Sequence, residues 1–123
     1  MSTKILIIQE PLENYPDTLA DYKVILDFLG YENHTCRDAD KLPEIMKTFD
    51  PDIAFWIYPW SDNISEILQQ HRQANKDLKI IWADDHYGRI VGDTSIYYDR
   101  LLVPVIMPLD EFQNLIAELL GGS

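Results

Sequence analysis

Four short apolar runs punctuate the chain, and between them apolar residues return every three or four positions. Lys4–Ile8 is the first run, closed by Gln9-Glu10-Pro11, and its lack of alternation predicts a strand buried on both faces. Ile53–Tyr58 is the second, introduced by Pro51-Asp52 and closed by Pro59, and Ile80–Ala83 and Val103–Met107 are the third and fourth. Glu32–Cys36 is short and polar, which suits a strand at a sheet edge. Helical spacing fills the intervals. Leu19, Tyr22, Ile25, Leu26 and Leu29 form one stripe between Pro16 and Leu29, and Gly30 supplies the stop. Leu42, Ile45, Met46 and Phe49 form a second, with Asp40 as its cap and Pro43 in its first turn. Ile64, Ile67, Leu68 and His71 form a third, starting near Ser61 or Asp62. A short helix over Thr94–Leu102 follows, capped by Asp93. Phe112, Leu115, Ile116, Leu119 and Leu120 make the last helix, with Asp110 and Gln113 at capping-box spacing. Asp84 to Gly92 is polar and glycine-containing, and predicts no regular element.

Five strands alternating with five helices imply a parallel sheet covered on both faces. Right-handed crossovers then favour an α/β flavodoxin-like, doubly wound five-stranded parallel sheet of order 2-1-3-4-5, with helices on both faces. Residues 1–120 form one domain in this reading, and Gly121-Gly122-Ser123 is a linker or tail. Any site in such a sheet lies at the carboxyl ends of the strands. Those ends are Gln9-Glu10, Tyr58-Pro59-Trp60, Asp84-Asp85 and Met107-Pro108.

Composition narrows the function classes. At 123 residues the chain can bury a core without a disulfide or a metal staple, and one cysteine, Cys36, forbids an internal disulfide and suits a reducing cytoplasm. No stretch approaches the roughly 20 apolar residues of a membrane span, so no membrane partner is expected. The formal net charge of −11, with lysines and arginines scattered, argues against direct contact with nucleic acid. Solubility accounts for such acidity, and attraction to a basic partner surface is the sharper alternative.

Three segments carry a resemblance. Lys4-Ile-Leu-Ile-Ile, Phe49-Asp-Pro-Asp-Ile-Ala-Phe-Trp-Ile-Tyr-Pro and Val105-Ile-Met-Pro-Leu-Asp-Glu-Phe resemble signature stretches of the CheY-like receiver domains of response regulators, in order and spacing, over essentially the whole chain. In that family two acidic residues after the first strand and an aspartate ending the third hold Mg²⁺. The third-strand aspartate accepts a phosphoryl group, and a lysine before the proline of the fifth strand contacts it. Each type has a chemical reason: hard oxygen ligands for Mg²⁺, a carboxylate nucleophile, and a cation to offset the transferred charge. Carried over by position, the acceptor falls on Ile57 and the lysine on Met107. The acidic pair falls on Gln9 and Glu10, or with a one-residue shift on Ile8 and Gln9 with Glu10 following, and the hydroxyl ending the fourth strand falls on Ala83 or Asp84. The resemblance therefore implies a degenerate pseudo-receiver: not an enzyme, without cofactor, in the cytoplasm, acting through a protein partner such as a signalling protein or output domain.

Other chemistries have thinner support. Glu10, Asp62, Asp84 and Asp85 could share a rim and attract a metal, with His86 nearby, but Ile57 removes the central ligand and His34 and His71 are distant in sequence. There is no phosphate-cradling glycine motif and no nucleophile elbow, and Cys36 reads as structural. Partner binding is therefore assigned to surface aromatics. Trp60 follows a strand end beside Tyr58, whereas Trp56 and Trp82 lie in apolar strands as core. The face that receivers use for dimers and targets, made by the fourth helix, fifth strand and fifth helix, would present Tyr97, Tyr98, Val105, Glu111 and Leu115. Tyr97 and Tyr98 are adjacent, so at least one faces outward. Two alternatives stand beside this reading: a small-ligand sensor with an apolar pocket lined by Ile57, Met107 and Trp60, and a divergent receiver phosphorylated on Asp84 or Glu10.

Overall fold

A computed structural model describes residues 3–11, 16–57, 60–84, 97–102 and 108–121. Five parallel strands, β1 (Lys4–Ile8), β2 (Glu32–Cys36), β3 (Ile53–Ile57), β4 (Lys79–Ala83) and β5 (Arg100–Leu102), pair in the order β2-β1-β3-β4-β5. Among the described residues four α-helices connect or follow them: α1 (Thr18–Leu29), α2 (Leu42–Phe49), α3 (Asp62–Ala74) and α4 (Leu109–Leu119).

The central strands β1, β3 and β4 bury both faces, so each is apolar at every position after the half-buried lysines, Lys4 and Lys79, that open β1 and β4, and side-chain alternation divides their residues between two cores. One core takes Ile5, Ile7, Phe55, Ile57 and Ile81 with Tyr22 and Leu26 of α1 and Phe112 and Ile116 of α4. The other takes Leu6, Ile8, Trp56, Ile80 and Trp82 with Leu42 and Met46 of α2 and Ile64 and Leu68 of α3. In the first core Tyr22 lies with its ring centroid 4.6 Å from Phe55 and 5.0 Å from Phe112.

Helix ends follow local chemistry, with departures from expectation. Gly30 stops α1 at φ +84°, a left-handed conformation open to glycine at little cost. The Ser61 hydroxyl caps α3 by accepting the Ile64 amide at 3.3 Å. Asp40 does not cap α2: Asp38 caps a 3-10 turn, Ala39–Lys41, by accepting the Asp40 amide, and α2 starts after that turn without a side-chain cap. Asp110 and Gln113 form no capping box, because Pro108 occupies the N-cap of α4 and offers no side-chain acceptor.

The larger correction lies before α4. The helix expected over Thr94–Leu102 is not a helix at its end, where Arg100–Leu102 is β5, and the strand expected at Val103–Met107 lies outside the described residues. Asp99 explains the shift. Its amide donates to the Ile80 carbonyl at 2.8 Å and its carboxylate accepts the Ile80 amide at 2.8 Å, pinning the chain beside β4. With Asp99 held there, Arg100, Leu101 and Leu102 run extended in register with Ile81, Trp82 and Ala83.

At the same amino-terminal end of the sheet a polar clamp joins α2 to α3. Asp50 takes a positive φ of 49° at the end of α2, and its Oδ1 accepts from Asn75 Nδ2 at 3.0 Å and lies 3.0 Å from His71 Nε2. The His71 contact, helped by Asn75, holds the Asp50 carboxyl below its ordinary value of 3.8. A depressed pKa contributes stability that is complete above the unfolded value and is lost as pH falls through the folded one. Asp50→Ala is expected to cost about 1 kcal/mol more at pH 7 than at pH values below the folded-state pKa, where only the pH-independent cost of placing alanine at positive φ remains. Urea titrations at the two pH values check this, and an equal loss at both would exclude the clamp.

Candidate functional site

The parallel register brings three strand ends to one rim. Ile8 pairs Trp56, and Ile57 pairs Ala83, so Gln9, Ile57 and Asp84 emerge side by side. This is the crevice where open α/β sheets bind ligands, and Gln9, Ile57 and Asp84 are strand-end positions expected there from sequence.

Their partners differ from those of a metal site. Gln9 is buried, and its Oε1 accepts the Leu19 amide at 2.7 Å while its Nε2 donates to the Pro16 carbonyl at 2.8 Å. The amide needs both functions: one end satisfies a free N–H in the first turn of α1, and the other ties down the segment before it. Its backbone N–H donates to the Cys36 carbonyl at 3.0 Å, continuing the β1–β2 ladder. Gln9→Ala is expected to cost about 1–3 kcal/mol by leaving the Leu19 amide and Pro16 carbonyl without this partner, measured by urea denaturation. A loss within a few tenths of a kcal/mol would mean that the α1 start is held otherwise.

Ile57 is 1% exposed and sits in the core shared by α1 and α4, where it offers no oxygen to a cation. Glu10 is half-buried at the same rim. Asp84 is 4% exposed, and its backbone N–H donates to the Leu102 carbonyl at 3.2 Å, joining the end of β4 to β5. Among the described residues no group of three His, Cys, Asp or Glu side chains could hold a metal ion. At the described strand ends the side chains of Gln9 and Ile57 supply no carboxylate to a cation. Met107, Tyr58 and Val105, as well as Asp85 and His86, lie outside the described residues.

The aromatics gather on the other face of the sheet. Trp56 and Trp82 are cross-strand partners, and Trp60 packs on both, tilted against Trp56 at 4.9 Å and edge-on to Trp82 at 5.1 Å between centroids. Trp60 is half-buried, and its Nε1 donates to the Asp62 carboxylate at 3.0 Å across the start of α3. Tyr98 closes over Trp82 at 5.6 Å, whereas Tyr97 is 37% exposed, its ring 5.8 Å from Trp60. Of the apolar pocket expected between Ile57, Met107 and Trp60, Met107 lies outside the described residues, and the other two do not meet. Ile57 and Trp60 pack into different cores on opposite faces of the sheet.

Glu111 lies elsewhere, on a groove of about 370 Å³ between β5 and α4, with Arg100, Leu102, Asn114 and Glu118. Arg100 pairs with Glu118 across it. Leu115, expected on the outer face, is buried in the core. Cys36 is buried, its thiol pushed up by desolvation and donating to the Asp38 carbonyl, which leaves it a poor nucleophile. No described helix is long and apolar enough to cross a membrane.

No protein-family profile matches this sequence, and no curated protein does. Solved structures do. A CheY-like response regulator receiver domain from Methanospirillum hungatei superposes with a TM-score of 0.73 at 20% identity, covering 97% of this chain and 94% of its own. The response regulator TrrA from Thermotoga maritima, solved in complex with Mg²⁺-BeF, gives 0.74 at 19% identity over 95% and 98% of the two chains. TrrA solved with the histidine kinase ThkA gives 0.69 at 22% identity over 97% and 99%. The described strands and helices thus have the CheY-like receiver fold.

Proposed function

We propose that this chain is a receiver-like regulatory domain that acts by binding another protein and whose signalling does not pass through phosphorylation at the strand-end position. The observation that carries the reading is Ile57: the residue at the end of β3, where the resemblance puts the acceptor aspartate, is apolar and packed into the core. Gln9 adds support, because its amide is spent on holding the start of α1. That a protein of this fold, TrrA, has been solved with a histidine kinase supports a protein as the partner class. Tyr97, with Trp60 behind it, and Glu111 on the β5–α4 groove are the contact residues we assign, and the latter groove is also where a pair of these domains would meet.

Amide NMR spectra with and without Mg²⁺ plus beryllofluoride, a mimic of the acyl phosphate, test the first half. No shift at Gln9, Ile57 or Asp84 is expected. Saturable shifts there would overturn the reading and favour the divergent receiver, with the buried Asp84 as the first carboxylate to replace.

A further inference from the structure

Where the tryptophan cluster reaches the surface, a carboxylate meets it. Trp60 is half-buried, and Tyr97 beside it is 37% exposed, the two ring centroids 5.8 Å apart and the planes tilted by 50°. Trp56 and Trp82 pack against Trp60 from the core, so the outer rings form a supported ledge. The Trp60 indole N–H donates to Asp62 Oδ1 at 3.0 Å, which fixes a carboxylate at the edge of that ring. Gln69 Nε2 donates to the Tyr97 carbonyl at 2.8 Å. At about 100° per residue Asp62, Glu66 and Gln69 fall on one stripe of α3. That stripe is bonded to the ledge at both ends and carries two exposed acids along it. The base on the same flank, Arg72, is engaged by Asp99 at 3.5 Å and by Gln69 at 3.0 Å.

We propose that this ledge takes an arginine side chain of the partner protein, its guanidinium lying on the exposed rings of Trp60 and Tyr97 and its N–H groups meeting the Asp62 carboxylate. The faces of aromatic rings carry negative potential, and a cation placed over them is attracted. Asp62 adds a formal charge within reach of the same cation. Guanidinium suits both features at once. It is planar and weakly hydrated, so it can lie on a ring, and its fork of donors can bond a carboxylate at the ring edge. An ammonium group is compact and strongly hydrated, and does the first of these poorly. A phosphate-bearing partner is repelled by Asp62 and Glu66. A second copy of this chain is a poor occupant as well. Among the described residues each arginine is already paired, Arg37 with Asp17, Arg72 with Asp99 and Arg100 with Glu118. It would also bring a further −11 to the contact. The inference rests on the reading of the domain as a protein binder and names the chemistry by which the Trp60–Tyr97 contact selects its partner.

The test is an NMR titration of the full chain, reading amide and indole N–H signals, with a short glycine-serine peptide that carries arginines. Counterpart peptides carry lysine, or citrulline as the neutral isostere of arginine, at the same positions. Saturable shifts of the Trp60 indole N–H and of the Asp62 and Tyr97 amides are expected with the arginine peptide. The citrulline peptide should bind at least about tenfold more weakly, with the lysine peptide in between. Asp62→Asn keeps an oxygen for the Trp60 indole while removing the charge, and should weaken the arginine peptide by about five- to tenfold. Tyr97→Leu should weaken it by about two- to fivefold, the worth of one exposed cation–π contact. Both side chains are exposed, so both variants should stay folded, which far-ultraviolet circular dichroism checks. Equal binding of either counterpart, indifference to both substitutions, or shifts confined to other faces would overturn the inference. So would concentration-dependent shifts at Trp60 without peptide, which would name a second copy. The beryllofluoride titration reads Gln9, Ile57 and Asp84 instead, so failure here leaves the phosphate-independent reading standing.

Discussion

Ile57→Asp is expected to lower stability by about 3–5 kcal/mol at neutral pH and to confer no response to beryllofluoride. Ile57 is enclosed in the core between α1 and α4, and an ionised carboxylate there lacks a cation and loses its water, the condition under which an uncompensated buried charge costs this much. The pH dependence gives the claim its sign. Burial raises the folded-state pKa of the introduced carboxyl above the about 3.9 of the unfolded chain. The penalty is therefore smallest below that value and grows as pH rises, until the folded state also ionises. Ile57→Asn has similar size and no charge, so its penalty should stay flat across the same range. Urea denaturation of both variants at several pH values separates the charge from the shape. If Ile57→Asp is as stable as the native protein at pH 7, the strand end is wet and open, and an acceptor could have been accommodated there. If it is unstable but regains stability in acid, the strand end is built around an apolar side chain at this position. An aspartate there alone then would not make a metal site, because the Gln9 amide is engaged in holding the start of α1.

The fold was legible because the central strands are buried on both faces. Lys4–Ile8 and Glu32–Cys36 appear with the bounds expected of them, the first set by an unbroken apolar run and the second by a polar run between a helix stop and Arg37. Strand order followed from alternation and handedness, and the rim residues followed from strand order. What failed was decided by long-range bonds. Leu101 and Leu102 looked like the end of a helix, and only the reach of Asp99 to Ile80 makes them a strand. Gln9 was placed correctly, but its hydrogen bonds to Pro16 and Leu19 depend on how the chain after β1 turns, which no local pattern encodes. The exposure of Val24 and Phe28 was legible, since both fall outside the stripe of Leu19, Tyr22, Ile25, Leu26 and Leu29. The joining of three tryptophans was partly visible too. Trp56 and Trp82 occupy equivalent places in neighbouring strands, but Trp60 reaches them only because the chain turns back at Ser61 to begin α3.

Trp82→Ala is expected to cost about 3–5 kcal/mol, the range for a large buried aromatic cut to a methyl group. Trp82 has no exposed surface and lies within 6.2 Å, centroid to centroid, of Trp56, Trp60 and Tyr98. Its loss removes the floor on which the other two surface-reaching rings rest, since Trp60 and Tyr98 pack on this core from outside. The effect should reach function by that route. Where the cavity does not collapse, Trp60 and Tyr98 lose their fixed poses, and near-ultraviolet circular dichroism from the coupled rings should fall even at temperatures where far-ultraviolet signal shows the domain folded. Trp82→Phe keeps an apolar ring in the site and should recover most of the stability and part of the aromatic signal. Trp60→Ala offers the contrast: half-buried and bonded to Asp62, it should cost less than Trp82→Ala while removing the ring that backs Tyr97. If Trp82→Ala unfolds no more readily than Trp60→Ala, the three rings do not form one packed unit. Tyr97 would then lack a rigid base, and its assignment as a partner contact would lose its physical support.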